Sequence, residues 1–258
     1  SIKRLRDNKV TISFPGHTTG SPLPQPKSYG MDGSITAVQQ NGSTWIYAAM
    51  RRGGRSLYAF DVTTLDAPEL KWKQGCPSLE NDSDCTSGFS DIGQTWATPT
   101  AFKASGYNSG ASTILAMGGG YDACEDGDPN TCTSSSKGNR IYLLDADSGA
   151  LLKTFTTDRG VVGDVTMLTG SNGRATYGYA ADMGGNIYRI SGVDAASAIG
   201  NTAPSDWTIT KIAALGCDSG ASCSANRKFL YGPVVGAANG EYVIVLGSGD
   251  REKPLLSY

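Results

Sequence analysis

The chain has 258 residues, 34 of them Gly, with 39% hydrophobic and 18% charged residues and a net charge of −2. Apart from Lys3, Arg4 and Arg6 it has no cluster of cations of the kind a phosphate backbone rewards through counterion release, so no nucleic-acid partner is expected. No stretch approaches the ~20 apolar residues needed to cross a bilayer, and no signal peptide opens the chain, so any export signal is expected upstream of Ser1.

Residues 1–28 read as an irregular lead-in, broken by Pro15, Pro22, Pro24 and Pro26. A repeat then fills residues 29–258. Its first unit predicts strands at 33–38, 45–50, 56–61 and 70–73, with Gly53-Gly54 between the second and third. The second predicts 96–101, 113–117, 140–145 and 150–155, with Gly118-Gly-Gly120 at the same place. The third predicts 163–168, 177–181, 186–190 and 207–212 around Gly184-Gly185, and a short helical turn at 193–199. A fourth supplies 231–236 and 241–246 only. Ile46, Leu115, Tyr179 and Val243 mark the second strands, at steps of 69, 64 and 64 residues. Four short strands per unit is the pattern of a propeller blade. The fold expected is therefore all-β: a partial β-propeller of four-stranded antiparallel blades, about three complete and one partial. Apolar residues on both sides of the middle strands predict sheets buried on both faces. Further blades are expected outside this chain, because propellers close with four to eight.

Six cysteines fall in three close pairs, Cys76/Cys85, Cys124/Cys132 and Cys217/Cys223, separated by eight, seven and five residues. Zinc sites favour tight C-x2-C spacings and His partners, and the sole His is His17. Three local disulfides are the better reading, and they place the protein in a periplasm, on a cell surface or outside the cell. A nucleophilic triad needs a base beside the nucleophile, and His17 in a Gly/Thr segment is a poor one, so no catalytic residue is expected. The metal candidates are Asp122, Glu125, Asp126 and Asp128, with Asn130, in and just before the loop held by Cys124 and Cys132. They fail the EF-hand pattern: counted from Asp126, Thr131 stands at the Gly position and Lys137 at the Glu position. A solvated acidic loop is the simpler account. Trp96 reads as a core side chain, and Arg251 as a partner for Asp250 or Glu252.

Several motifs resemble a known family. Tyr29-Gly-Met-Asp-Gly-Ser-Ile-Thr36, Gly93-Gln-Thr-Trp-Ala-Thr-Pro-Thr-Ala101, Leu115-Ala-Met-Gly-Gly-Gly-Tyr-Asp122 and Gly138-Asn-Arg-Ile-Tyr-Leu-Leu-Asp-Ala-Asp-Ser-Gly149 are similar, in order, to the propeller of the PilY family of type IV pilus tip adhesins. So are Gly178-Tyr-Ala-Ala-Asp-Met-Gly-Gly-Asn-Ile-Tyr-Arg189 and Gly247-Ser-Gly-Asp-Arg-Glu-Lys-Pro254. The resemblance implies a quinoprotein-like propeller, seven-bladed in the parent protein. It implies a non-enzymatic protein of the periplasm, cell surface or pilus tip, serving pilus assembly, adhesion and twitching motility. Its implied partners are minor pilins and host or abiotic surfaces. The family also carries a calcium loop rich in Asp, but the matching stretch here, Thr169-Gly-Ser-Asn-Gly-Arg-Ala-Thr176, has no carboxylate. Calcium takes six to eight oxygens, mostly from carboxylates, so no cofactor is expected there. Asp145-Ala-Asp-Ser-Gly149 is similar to the turn that docks a Trp between blades in quinone-dependent dehydrogenases. It reads as a structural turn in which Asp caps backbone N–H groups and Gly takes a positive φ. The alternatives to an adhesin are a quinoprotein-type dehydrogenase or a purely structural module.

Overall fold

A computed structural model describes residues 29–79, 81–126, 137–216, 227–238 and 241–249. The lead-in 1–28, Asp128, Cys132, Cys217, Cys223 and Arg251 lie outside the described residues. The first blade contains β1 (Ile35–Gln40), β2 (Ser43–Ala49), β3 (Arg55–Asp61) and β4 (Glu69–Cys76). The second contains β5 (Thr100–Lys103), β6 (Thr113–Gly118), β7 (Arg140–Asp145) and β8 (Leu151–Thr156). The third contains β9 (Thr166–Thr169), β10 (Ala175–Ala181), β11 (Asn186–Ser191) and β12 (Thr208–Ala214). The fourth shows β13 (Val234–Ala238) and β14 (Glu241–Val245). Every sheet pairs its strands in chain order, antiparallel throughout, as the repeat predicted.

The middle strands explain the stacking. All six residues of β6 are buried. Successive side chains of a strand point to opposite faces. Leu115 and Met117 enter a core shared with Tyr47, Leu57 and Trp72 of the first blade. Ile114 and Ala116 enter a second core shared with Ala180, Ile190 and Trp207 of the third. In β7, Tyr142 and Leu144 face the first blade, while Ile141 and Leu143 face the third. A smaller core of Ala181, Ile187 and Phe229, with Ile244 and Leu246, joins the third blade to the fourth.

The first strand of each blade begins two to four residues later than the sequence suggested, at Ile35, Thr100, Thr166 and Val234. Pro99 and Pro233 have no N–H to offer a ladder, and the residues around them bind the neighbouring blade instead. Thr36 Oγ1 donates to Pro99 O at 2.5 Å, Thr100 Oγ1 to Val165 O at 2.7 Å, and Thr166 Oγ1 to Pro233 O. One hydroxyl thus ties each blade to the next at the same position of the repeat. The helical turn expected at 193–199 is instead a single non-helical turn flanked by bends, in which the Asp194 carboxylate accepts from the N–H groups of Ala196 and Ser197 at 2.9 and 2.8 Å.

The Asp145–Gly149 turn is structural. Asp145 Oδ1 accepts from Ser148 N at 2.7 Å and from Ser148 Oγ at 2.8 Å, and Gly149 has φ 72°. Trp72 of the first blade lies against it: Trp72 Nε1 donates to Ala146 O at 3.2 Å, and a Cβ on Gly149 would sit 2.7 Å from the indole. Trp72→Ala is expected to lower unfolding stability by about 3–5 kcal/mol, through lost burial and a cavity. Leu65→Ala, at a side chain 83% exposed, should change it by less than about 0.5 kcal/mol. Urea unfolding of the two variants checks the contrast.

Candidate functional site

In a four-stranded meander the loop after the second strand and the connector after the fourth leave from the same end of the sheet. The segments 50–54, 77–99, 119–126, 157–165, 182–185 and 227–233 therefore share one face of the propeller. The turns at 62–68, 104–112, 146–150 and 170–174 share the other. Of the described cysteines, Cys76 ends β4 where the first connector leaves it, and Cys85 and Cys124 lie in segments of the first face.

Side-chain polarity holds this face together. Cys76 and Cys85 form a disulfide closing a separation of nine residues. Behind it stands Arg55, 4% exposed, using all five of its donors. They reach Ile92 O, Ser78 O, Asn81 O, Asp82 Oδ1 and Ser90 O at 2.7–3.2 Å. Asp82 also pairs with Lys137 at 2.7 Å, and Arg140 with Asp91 at 2.7 Å, so the first connector is bonded to the second blade. Backbone bonds continue the link: Arg51 N to Thr95 O, Gln94 N to Tyr121 O, Gly120 N to Val161 O and Met183 N to Gly160 O, all at 2.8–2.9 Å.

Two of the acidic candidates, Asp122 and Glu125, have protein partners. Asp122 accepts from Cys124 N at 2.9 Å and from Lys137 N at 2.5 Å. Glu125, 3% exposed, sits between Arg159 at 2.5 Å and Lys228 at 3.2 Å. It joins the second blade's loop to segments leading into the third and fourth. Nothing is described of the Asp126 side chain, and Asp128 lies outside the described residues. Cys124 is disulfide-bonded, and its expected partner Cys132 also lies outside them. Among the described residues the one group with metal-ligand proximity is Cys76, Asp82 and Cys85; its two sulfurs are bonded to each other. The stretch 169–176 is a tight hairpin on the opposite face, where Gly170 N donates to Arg174 O at 2.8 Å and Arg174 N to Asn172 Oδ1 at 2.9 Å. No carboxylate lies within it.

Asp182, from the Ala-Asp-Met-Gly-Gly-Asn motif, is fully buried. It accepts from Gly184 N, Asn186 N, Asn186 Nδ2, Tyr188 OH and Arg159 N at 2.9–3.0 Å. Burial pushes its carboxyl above the usual range, against the hydrogen bonds from Asn186 and Tyr188. Every contact is to its own hairpin or to the preceding connector, which makes it a staple of the fold.

On the same face the blades enclose an open pocket of about 200 Å³. Its walls include Ser34 and Arg51 of the first blade, Trp96 and Tyr121 of the second, and Asp164 and Tyr231 from the segments that lead into the third and fourth. Trp96 is half-buried rather than a member of β5. Its ring lies 6.2 Å from Tyr121 and 5.7 Å from the guanidinium carbons of both Arg51 and Arg52. Sequence reasoning missed this site because its residues are scattered from 34 to 232. The available signal was the repeat itself, since Thr98, Asp164 and Gly232 each stand two residues before their blade's first strand.

These features define the class: a β-propeller of four-stranded antiparallel blades, with a disulfide-pinned face of connectors. The family model of the PilY1 β-propeller domain matches residues 24–214, and the chain belongs to that family. The chain is 31% identical over 169 residues to the type IV pilus biogenesis factor PilY1 of Pseudomonas aeruginosa (strain UCBPP-PA14), a match covering 63% of the chain and 12% of that relative. It is also similar in fold to the crystal structure of the P. aeruginosa PilY1 C-terminal domain. There the TM-score is 0.58 at 19% identity, over 84% of this chain and 43% of the other. The chain thus spans less than half the length of each. Among the described residues no helix is long and apolar enough to cross a membrane.

Two outcomes follow from the geometry. Cys76→Ser/Cys85→Ser should cost about 2–3 kcal/mol of stability by freeing a short loop in the unfolded chain, measured by urea unfolding. Asp82 is held below the usual carboxylate range by its hydrogen bonds with Lys137 and Arg55. Its folded pKa lies below its unfolded one. The stabilisation it gives is therefore present above the ordinary carboxylate pKa and is lost as pH falls through the lowered value. Carboxyl NMR titration should place Asp82 below model aspartates, and Lys137→Met should move it back up.

Proposed function

We propose that this chain is a non-enzymatic binding propeller of type IV pilus biogenesis, acting in the periplasm and at the cell surface as part of a pilus-tip adhesin. The observation that carries the reading is the family match across residues 24–214. Its connectors, pinned by Cys76–Cys85 and Arg55, give a rigid surface of the kind on which binding loops sit. A disulfide also suits an oxidising compartment. The partners are minor pilins on one side and a host or abiotic surface on the other, in support of assembly, adhesion and twitching motility. The 169–176 hairpin works without calcium, since it offers no carboxylate ligands.

The test compares two exposed apolar side chains on opposite faces, Leu79 at 51% and Leu65 at 83%. Leu79→Asp and Leu65→Asp are placed in the parent protein in the bacterium that makes it, with secreted amounts matched. Leu79→Asp is expected to reduce sheared-pilus yield, twitching and surface attachment, and Leu65→Asp to leave them near wild type. Normal pili and attachment in cells lacking the propeller would overturn the reading.

A further inference from the structure

The pilus reading leaves the pocket between the blades without an occupant, and its chemistry is specific. Arg51 is a non-glycine residue with φ 49°, a left-handed backbone. Such positions persist where the surroundings impose them, and they gather at ligand sites. Here the surroundings are the second blade, through Arg51 N bonded to Thr95 O at 2.9 Å. The Arg51 Nε is buried with no hydrogen-bond partner, and among the described residues its guanidinium makes no ion pair. Buried donors are ordinarily satisfied, and an exception calls for an explanation. The guanidinium carbon lies 5.7 Å from the Trp96 ring, which leans on Tyr121. Asp164 also lines the pocket; its Oδ1 accepts from Thr98 N at 2.6 Å, and the carboxylate makes no ion pair among the described residues.

We propose that this pocket binds a carboxylate joined to a small apolar body. Arg51 takes the carboxylate, and the Trp96 and Tyr121 rings cover the body. A cavity of about 200 Å³ is below the roughly 300–1,000 Å³ of pockets for drug-sized ligands, which suits a single residue. Two sources share this chemistry: a free amino acid, or the C-terminal residue of a polypeptide. Asp164 separates them, because only the free amino acid brings an ammonium group to it. The proposal rests on the pocket and not on the pilus reading, so either stands if the other fails.

The experiment is calorimetry on the disulfide-intact chain with N-acetylleucine, leucine and leucinamide. N-acetylleucine or leucine is expected to bind with a Kd of about 1 mM or tighter, leucinamide not at all. Arg51→Asn, whose new side chain tolerates a left-handed backbone, should weaken binding at least tenfold while circular dichroism and melting stay near wild type. If that variant fails to fold, NMR on the unaltered protein decides, since N-acetylleucine should shift the Trp96 indole N–H. Tighter binding of leucine, abolished by Asp164→Asn, identifies the free amino acid. Equal binding of leucine and N-acetylleucine identifies the chain end. Absence of binding by either carboxylate at about ten times that concentration, equal binding of leucinamide, or indole shifts absent at saturation would overturn the proposal.

Discussion

A sheet with apolar side chains on both faces has to be covered twice, and a single blade cannot cover itself. Leu115 and Met117 on one side of β6, with Ile114 and Ala116 on the other, require a blade on each flank. The rest of the architecture follows from this demand. Stacking blades side by side brings their first strands together, where Thr36, Thr100 and Thr166 each reach a carbonyl of the next blade. It also sets the connectors of neighbouring blades in contact, which is how residues 34 to 232 come to line one pocket.

The connectors are held differently from the blades. Their contacts are hydrogen bonds and ion pairs: the five donors of Arg55, the Asp82–Lys137 and Arg140–Asp91 pairs, and Glu125 between Arg159 and Lys228. Buried polar groups stabilise only when satisfied, and here nearly every partner is a backbone carbonyl or a charge from an adjacent blade. The connectors are thereby fixed relative to one another without an apolar core of their own. Arg51 and Arg159 each keep a buried Nε without a hydrogen-bond partner, and of the two only Arg51 lines the pocket.

Much of the fold was legible because periodicity acts along the chain. The 64- to 69-residue step and the Gly-rich turn after the second strand both reflect local requirements of a blade. The limits of reading appear where a residue answers to another blade. Trp96 follows the apolar pattern of a strand, yet the strand begins at Thr100, because Pro99 cannot donate and its carbonyl is taken by Thr36. Asp122 and Glu125 read in sequence as part of a solvated acidic loop, whereas Glu125 is buried and the partners of the two, Lys137 N, Arg159 and Lys228, lie up to 103 positions away. At the first blade's turn the sequence marks only Gly53-Gly54, and nothing in the pattern singles out Arg51 or Arg52. Only the stacking of two blades brings both within 5.7 Å of the Trp96 ring.

The two faces of the propeller differ in how their loops are held, and the proposed binding belongs to the disulfide-pinned one. Hydrogen–deuterium exchange of the chain, free and with purified minor pilins, addresses that directly. Protection is predicted in segments 50–54, 77–79, 81–99, 119–126 and 227–232, with 62–68, 104–112, 146–150 and 170–174 unchanged. Protection confined to the second group, with the first unaltered, would contradict the assignment of the disulfide-pinned face as the working surface.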